Sequence, residues 1–135
     1  RFVEAHDRSY SRALEEIREG RKQSHWMWYI FPQIVGLGLS STSRFYAIAD
    51  LEEARAYMQH PMLGAHMIEI CGVLLGLSAN DAEDVMGYPD DLKLRSSMTL
   101  FSQAVPSVKI FQQVLDKYFD GKMDQKTLEI LGVHI

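Results

Sequence analysis

Along most of this chain, apolar side chains recur every three or four residues, which is the spacing of helices that bury one face. The first such stretch predicts a helix from about Ala5 to Glu19, ended by Gly20, because glycine often follows the last turn of a helix. Its apolar positions are Tyr10, Ala13, Leu14 and Ile17. The same spacing continues along the chain, so the sequence predicts a mainly helical protein.

Capping residues mark where several of these helices begin. Asp50 is followed three residues later by Glu53, a reciprocal capping pattern, and Pro61 suits the first turn of the next helix. The helix after Pro61 has an almost wholly apolar stripe, which predicts that it lies at the centre of the fold. Asn80 and Asp124 are predicted to cap two shorter helices.

Proline and glycine mark the remaining helices. Pro89 opens a helix that ends at Pro106, which also suits the start of the next one, and Gly121 ends that helix. Only the aromatic stretch 26–31 favours a strand, and a single strand has no partner with which to pair. The sequence therefore predicts a compact all-α fold of about seven or eight unequal helices, unlike a regular four-helix bundle.

The length and charge of the chain favour a single globular domain and argue against nucleic-acid and membrane partners. A chain of 135 residues fits a single domain, here residues 1–135, with a core of its own. The formal net charge is −4, and basic residues are interleaved with acidic ones, whereas nucleic-acid-binding proteins are usually basic. No run approaches the ~20 apolar residues of a membrane helix, and no signal peptide is recognised. Neither nucleic acid nor a membrane is expected as a partner.

Few residues are suited to redox or metal chemistry. The single cysteine, Cys71, suits a reducing compartment such as the cytoplasm, and its apolar surroundings predict an inert core thiol. The histidines His60, His66 and His134 lack the spacing of metal ligands, and the chain has no phosphate-binding loop. Neither a metal nor a cofactor is expected.

Two long motifs of this chain resemble a bacterial protein family. They are GRKQSHWMWYIFPQIVGLG and PDDLKLRSSMTLF, and the likeness continues through YAIADLEEARAYMQHPMLG and TLEILG. The family is DUF1810, a domain-of-unknown-function family with a mainly α-helical fold, some of whose members are labelled calpastatin. The resemblance implies a compact helical domain and supplies no activity, substrate or catalytic residue. A flexible protease inhibitor is polar and poorly packed, and this sequence is neither.

A basic cluster follows the first predicted helix. Arg21 and Lys22 precede Ser24, which is predicted to cap the next helix. Free N–H groups at a helix start, beside two cations, form an anion site, to which His25 would add charge. The alternative is that Arg21 and Lys22 are solvated and that His25 is a capping or hydrogen-bonded residue.

Two tryptophans come directly after this cluster. Trp26 and Trp28 belong to six contiguous aromatic or apolar residues, which cannot all face one side of a helix. The stretch is therefore predicted to be a short, mostly buried helix or turn that Pro32 stops. Either both rings belong to the core, or they form the wall of an opening and stack on a planar ligand.

A second candidate segment begins the helix after Pro89. Asp91 and Arg95 lie four residues apart and are expected to form an ion pair that holds the guanidinium in place to bind a carboxylate or phosphate. In the structural alternative, Asp90 and Asp91 only cap the helix start. A single site requires residues 20–25 to face residues 90–95 across one cleft.

The first hypothesis from these residues is a small-molecule-binding domain, with or without enzyme activity, for an anionic or nucleotide-like ligand. The alternative is a non-enzymatic protein-interaction module, which predicts a contiguous exposed apolar patch. In a third interpretation, the two motifs only specify the fold. Enzyme activity, the natural ligand, the protein partner and the oligomeric state stay open.

Overall fold

A computed structural model describes residues 1–133, which form nine helices and no strand. The helices are α1 (Phe2–Arg18), α2 (Met27–Ile30), α3 (Ser41–Tyr46), α4 (Leu51–Gln59), α5 (Pro61–Gly76), α6 (Ala82–Met86), α7 (Asp90–Ala104), α8 (Ile110–Phe119) and α9 (Gln125–Leu131). The all-α prediction is confirmed, with one helix more than the sequence pattern revealed. His134, which the sequence excluded as a metal ligand, lies outside the described residues.

The additional helix is α3, in a segment without apolar periodicity. Ser40 begins it, and the Ser40 hydroxyl oxygen accepts a hydrogen bond of 3.1 Å from the backbone N–H of Ser43. A parallel bridge between Ile34 and Ile48, with two backbone hydrogen bonds of 2.8 Å, closes the base of this segment. Residues 34–48 therefore form a closed surface loop, named here the 34–48 loop.

The core surrounds α5, which packs against α1, α4 and α8 as the apolar stripe predicts. Gly64 of α5 lies so close to the Met58 carbonyl oxygen of α4 that a Cβ atom at this position would overlap it. Cys71 is fully buried, with its sulfur 3.9 Å and 3.8 Å from those of Met67 and Met98. Burial raises the pKa of its thiol, so the buried core thiol is confirmed.

Most of the predicted caps are present, with one correction. Asp50 and Asp124 each accept a hydrogen bond from the third residue of their helix, as predicted. The cap of α6 is Asp81 rather than Asn80, since the Asp81 carboxylate accepts a bond of 2.9 Å from the N–H of Glu83. The error is one residue, because both side chains are good caps and sequence does not distinguish neighbours.

The ends of the long helices also follow the proline signals. The helix α7 begins directly after Pro89 and ends before Pro106. Contrary to the prediction, Pro106 does not start the next helix, because α8 begins at Ile110 and Pro106 lies in the connection before it. Among residues 1–133, no helix has the length and apolar character needed to cross a membrane.

Candidate functional site

The backbone of residues 20–25 already binds a carboxylate, which belongs to Glu16 of α1. One carboxylate oxygen of Glu16 accepts hydrogen bonds from the backbone N–H groups of Gln23 (2.7 Å) and Ser24 (2.9 Å). The same oxygen accepts a bond of 2.9 Å from the indole N–H of Trp26, and the other oxygen accepts from the Ser24 hydroxyl. We call this arrangement the Glu16 network.

The Glu16 network determines the charge state of its carboxyl group. Glu16 is only 8% exposed, and burial acts to raise its pKa. The hydrogen bonds from Ser24, Gln23 and Trp26 outweigh burial and lower the pKa from 4.5 to about 2. The prediction that Ser24 caps the next helix is therefore wrong. The helix α2 begins at Met27 without a side-chain cap, and the polar groups of Ser24 bind Glu16.

Two of the predicted site residues, Lys22 and Trp26, make contacts within the protein. The ammonium group of Lys22 lies 2.8 Å from a carboxylate oxygen of Asp90 and 4.9 Å from the centre of a ring of Trp26. Trp26 is 1% exposed and belongs to the core. Residues 20–25 and the start of α7 thus meet, as a single site requires, but they meet through an ion pair within the protein.

Two other predicted residues lie at the surface. Arg21 is exposed and lines an open cleft of about 690 Å³ together with Glu83, Asp84 and Tyr88. His25 is also exposed, and its backbone carbonyl accepts a long hydrogen bond of 3.4 Å from Tyr29. The cleft beside Arg21 therefore combines both signs of charge.

Trp28 is half-buried and forms one wall of a narrow pocket. The ammonium group of Lys93 lies 3.8 Å from the centre of the Trp28 ring and 3.2 Å from Asp90. Gln33, Arg44 and other residues complete what we call the Trp28 pocket, which has a volume of about 20 Å³. This is room for one water molecule, whereas ligand pockets measure roughly 300–1,000 Å³.

Arg95 lies on a different side of α7, in a cleft of ligand size. Residues two apart on a helix point about 200° apart, so Arg95 faces away from Lys93 and the Trp28 pocket. Arg95 and residues 121–126, which include Lys122, Asp124 and Lys126, line a cleft of about 570 Å³, named here the Arg95 cleft.

The guanidinium group of Arg95 donates no hydrogen bond to any described residue, and its Nε is buried. Its nearest carboxylate is that of Asp124, with an N–O distance of 4.0 Å, and its Cζ lies 6.0 Å from the centre of the Phe119 ring. The predicted ion pair with Asp91 is absent from residues 1–133, and one Asp91 carboxylate oxygen is buried without a partner. The prediction was wrong because Arg95 turns towards Phe119 and Asp124.

A pair of histidines, buried His6 and half-buried His66, links α1 to α5, and no sequence pattern predicted it. The Nδ1 atoms of His6 and His66 are 2.9 Å apart, and Nε2 of His6 lies 2.9 Å from the Tyr29 carbonyl oxygen. Because a carbonyl only accepts, Nε2 of His6 carries hydrogen, and Nδ1 of His6 accepts from Nδ1–H of His66. Burial lowers the pKa of His6 to about 4 and also lowers that of His66.

Tyrosines enclose this pair. The ring of Tyr10 stacks on His66 at 3.5 Å between ring centres, and the Tyr57 hydroxyl lies 3.0 Å from Nε2 of His6. In the described part of the chain, no group of three or more His, Cys, Asp or Glu side chains is placed to hold a metal ion. The arrangement is suited to joining two helices.

The sequence and the fold both match known proteins. A family model described as "Protein of unknown function (DUF1810)" matches residues 1–131. The crystal structure of the conserved hypothetical protein Rv1873 from Mycobacterium tuberculosis is 45% identical, with a TM-score of 0.96 over 99% of this chain and 96% of that chain. Neither description mentions calpastatin. Among curated proteins, none matches this sequence.

Proposed function

We propose that this chain, which belongs to the DUF1810 family, binds an anionic small molecule in the Arg95 cleft. The family is described as one of unknown function, and the similar solved structure as a hypothetical protein, so neither supplies a specific function. One observation carries the proposal: a partly buried guanidinium, in a cleft of ligand size, donates no hydrogen bond to the described residues.

The charges of the cleft support an anion as the ligand. Three cations, Arg95, Lys122 and Lys126, face a single carboxylate, that of Asp124. That carboxylate also caps α9, because its second oxygen accepts hydrogen bonds from Thr127. A partly desolvated cation is stabilised by a hydrogen-bonded counter-charge, and the planar guanidinium fits a carboxylate or phosphate with two parallel bonds.

The same geometry favours a small anion over a nucleotide or a nucleic acid. The Trp28 ring, which the sequence suggested for stacking, lies on the opposite side of α7 and has room beside it for one water molecule only. Three cations in one cleft, on a chain of net charge −4, do not form the extended positive stripe of a nucleic-acid surface. A cytoplasmic location is also proposed, supported by the single buried thiol of Cys71.

NMR titration of the ¹⁵N-labelled protein with inorganic phosphate and with citrate, at constant ionic strength, tests the proposal. We expect saturable shifts of the amide signals of residues 121–126. Arg95→Met should weaken binding about tenfold or more, because it removes charge-assisted hydrogen bonds. Arg21→Met is the matched control, since it removes an exposed cation from another cleft and should leave binding unchanged. Equal binding by Arg95→Met, or loss in Arg21→Met alone, contradicts the proposal.

A non-enzymatic protein-interaction module is the second candidate function. Of the seven large apolar side chains that are exposed in the described chain, four lie on the 34–48 loop and the adjacent α9. This concentration supports the hypothesis, which predicts a contiguous exposed apolar patch.

A further inference from the structure

Four exposed apolar side chains lie on the 34–48 loop and the neighbouring α9. Their exposed fractions are 45% for Val35, 83% for Leu39, 59% for Phe45 and 38% for Ile130. The loop touches α9 at Gly36, where an added Cβ atom would lie 3.4 Å from Cδ1 of Ile130. We call these four side chains the apolar face.

A charged side chain of each sign lies beside a member of the apolar face. Arg44 lines the Trp28 pocket together with Val35. Glu52 lines a separate cleft of about 340 Å³ together with Ile130. Both charged residues are exposed, and neither has an ion-pair partner within residues 1–133.

We propose that the apolar face binds the same face of a second copy of this chain, related by a two-fold axis. In such an interface each patch meets itself, so a cation and an anion beside the same apolar patch pair with their opposites on the partner. The two-fold arrangement thus pairs Arg44 of one protomer with Glu52 of the other. The apolar centre and polar rim also follow the usual anatomy of protein interfaces.

The charges favour a second copy over other occupants. An anionic lipid surface attracts basic residues, but it is repelled by Glu52, by Asp50 beside it and by the net charge of −4. A partner with charge of one sign pairs with only one of Arg44 and Glu52. A second copy of this chain carries both charges beside the same apolar side chains.

Sedimentation equilibrium, at increasing protein concentrations, tests this proposal. The average mass of the natural sequence should rise from 15.5 kDa towards twice that value. The double variant Leu39→Ser/Phe45→Ser should keep the monomer mass, and circular dichroism should show an unchanged fold because both side chains are exposed. A natural sequence that stays at 15.5 kDa at the highest concentration overturns the proposal.

Charge reversal identifies the pairing. Arg44→Glu should weaken association, and the double variant Arg44→Glu/Glu52→Arg should restore it, since the charges are then exchanged between the two sides. If neither the charge variants nor the serine variants affect association, the interface lies elsewhere and the proposal is overturned. A protein that stays monomeric and binds phosphatidylserine vesicles also overturns it. None of these residues lines the Arg95 cleft, so the anion titration has a separate outcome.

Discussion

Replacing Glu16 by Gln tests whether the carboxylate of the Glu16 network stabilises the fold. The substitution removes the charge and leaves an oxygen that accepts hydrogen bonds from Gln23, Ser24 and Trp26. A carboxyl group whose pKa falls from 4.5 to about 2 on folding contributes roughly 3 kcal/mol while it is ionised. Glu16 is 8% exposed, so solvent screens this contribution little. Glu16→Gln should lower the free energy of unfolding by about that amount at pH 7.

The pH dependence gives a second measure of the same quantity. Because the folded-state pKa is lowered, the contribution is fully present above pH 4.5 and is lost as the pH falls towards 2. Urea denaturation between pH 2 and pH 7 should show this loss in the natural sequence and its absence in Glu16→Gln. Glu15→Gln, at an exposed position of α1, is the control and should change stability by less than about 0.5 kcal/mol. Equal effects of both substitutions would refute the reasoning.

Three further measurements test the core. Burial lowers the pKa of His6 to about 4, because the buried ring disfavours a charge; the free energy of unfolding should therefore fall by roughly 3 kcal/mol as the pH falls from 6.5 to below 4, and an NMR titration midpoint above 6 contradicts this. Gly64→Ala should destabilise by about 1–3 kcal/mol in urea denaturation, because its Cβ overlaps the Met58 carbonyl oxygen; an increase in stability, as helix propensity alone predicts, argues against the close contact. Cys71 should react with a thiol reagent only after unfolding, so rapid labelling of the native protein disproves its burial.

The helices were predictable from sequence where a local signal determines them. Asp50, Pro61 and Asp124 begin helices as predicted, because a cap acts on the N–H groups of the next few residues. The helix α3 has no apolar periodicity and was missed, although Ser40 before it is a usable cap signal. The cap of α6 was placed one residue early, since Asn80 and Asp81 are chemically alike.

The contacts of the candidate site depend on side chains that are distant in sequence, or whose conformation is set by the tertiary structure. Free N–H groups at residues 20–25 were recognised, but the carboxylate that binds them comes from Glu16 on the preceding helix. The sequence did contain one signal of this contact, since Glu16 is a carboxylate among the apolar positions of α1. Arg95 was selected by residue type, yet its direction depends on Phe119 and Asp124, which no spacing from Asp91 reveals. The pairing of His6 with His66 across sixty positions leaves no local pattern.

The short helix α9 has a thermodynamic consequence. Its first turn contains Lys126, which lines the Arg95 cleft, and one turn later the same helix carries Ile130 of the apolar face. If an anion shifts this helix, the affinity of the two protomers changes, and by reciprocity the dimer binds the anion more tightly or more weakly by the same factor. The sign of this coupling can be read from a single experiment, the dependence of the average mass on phosphate concentration.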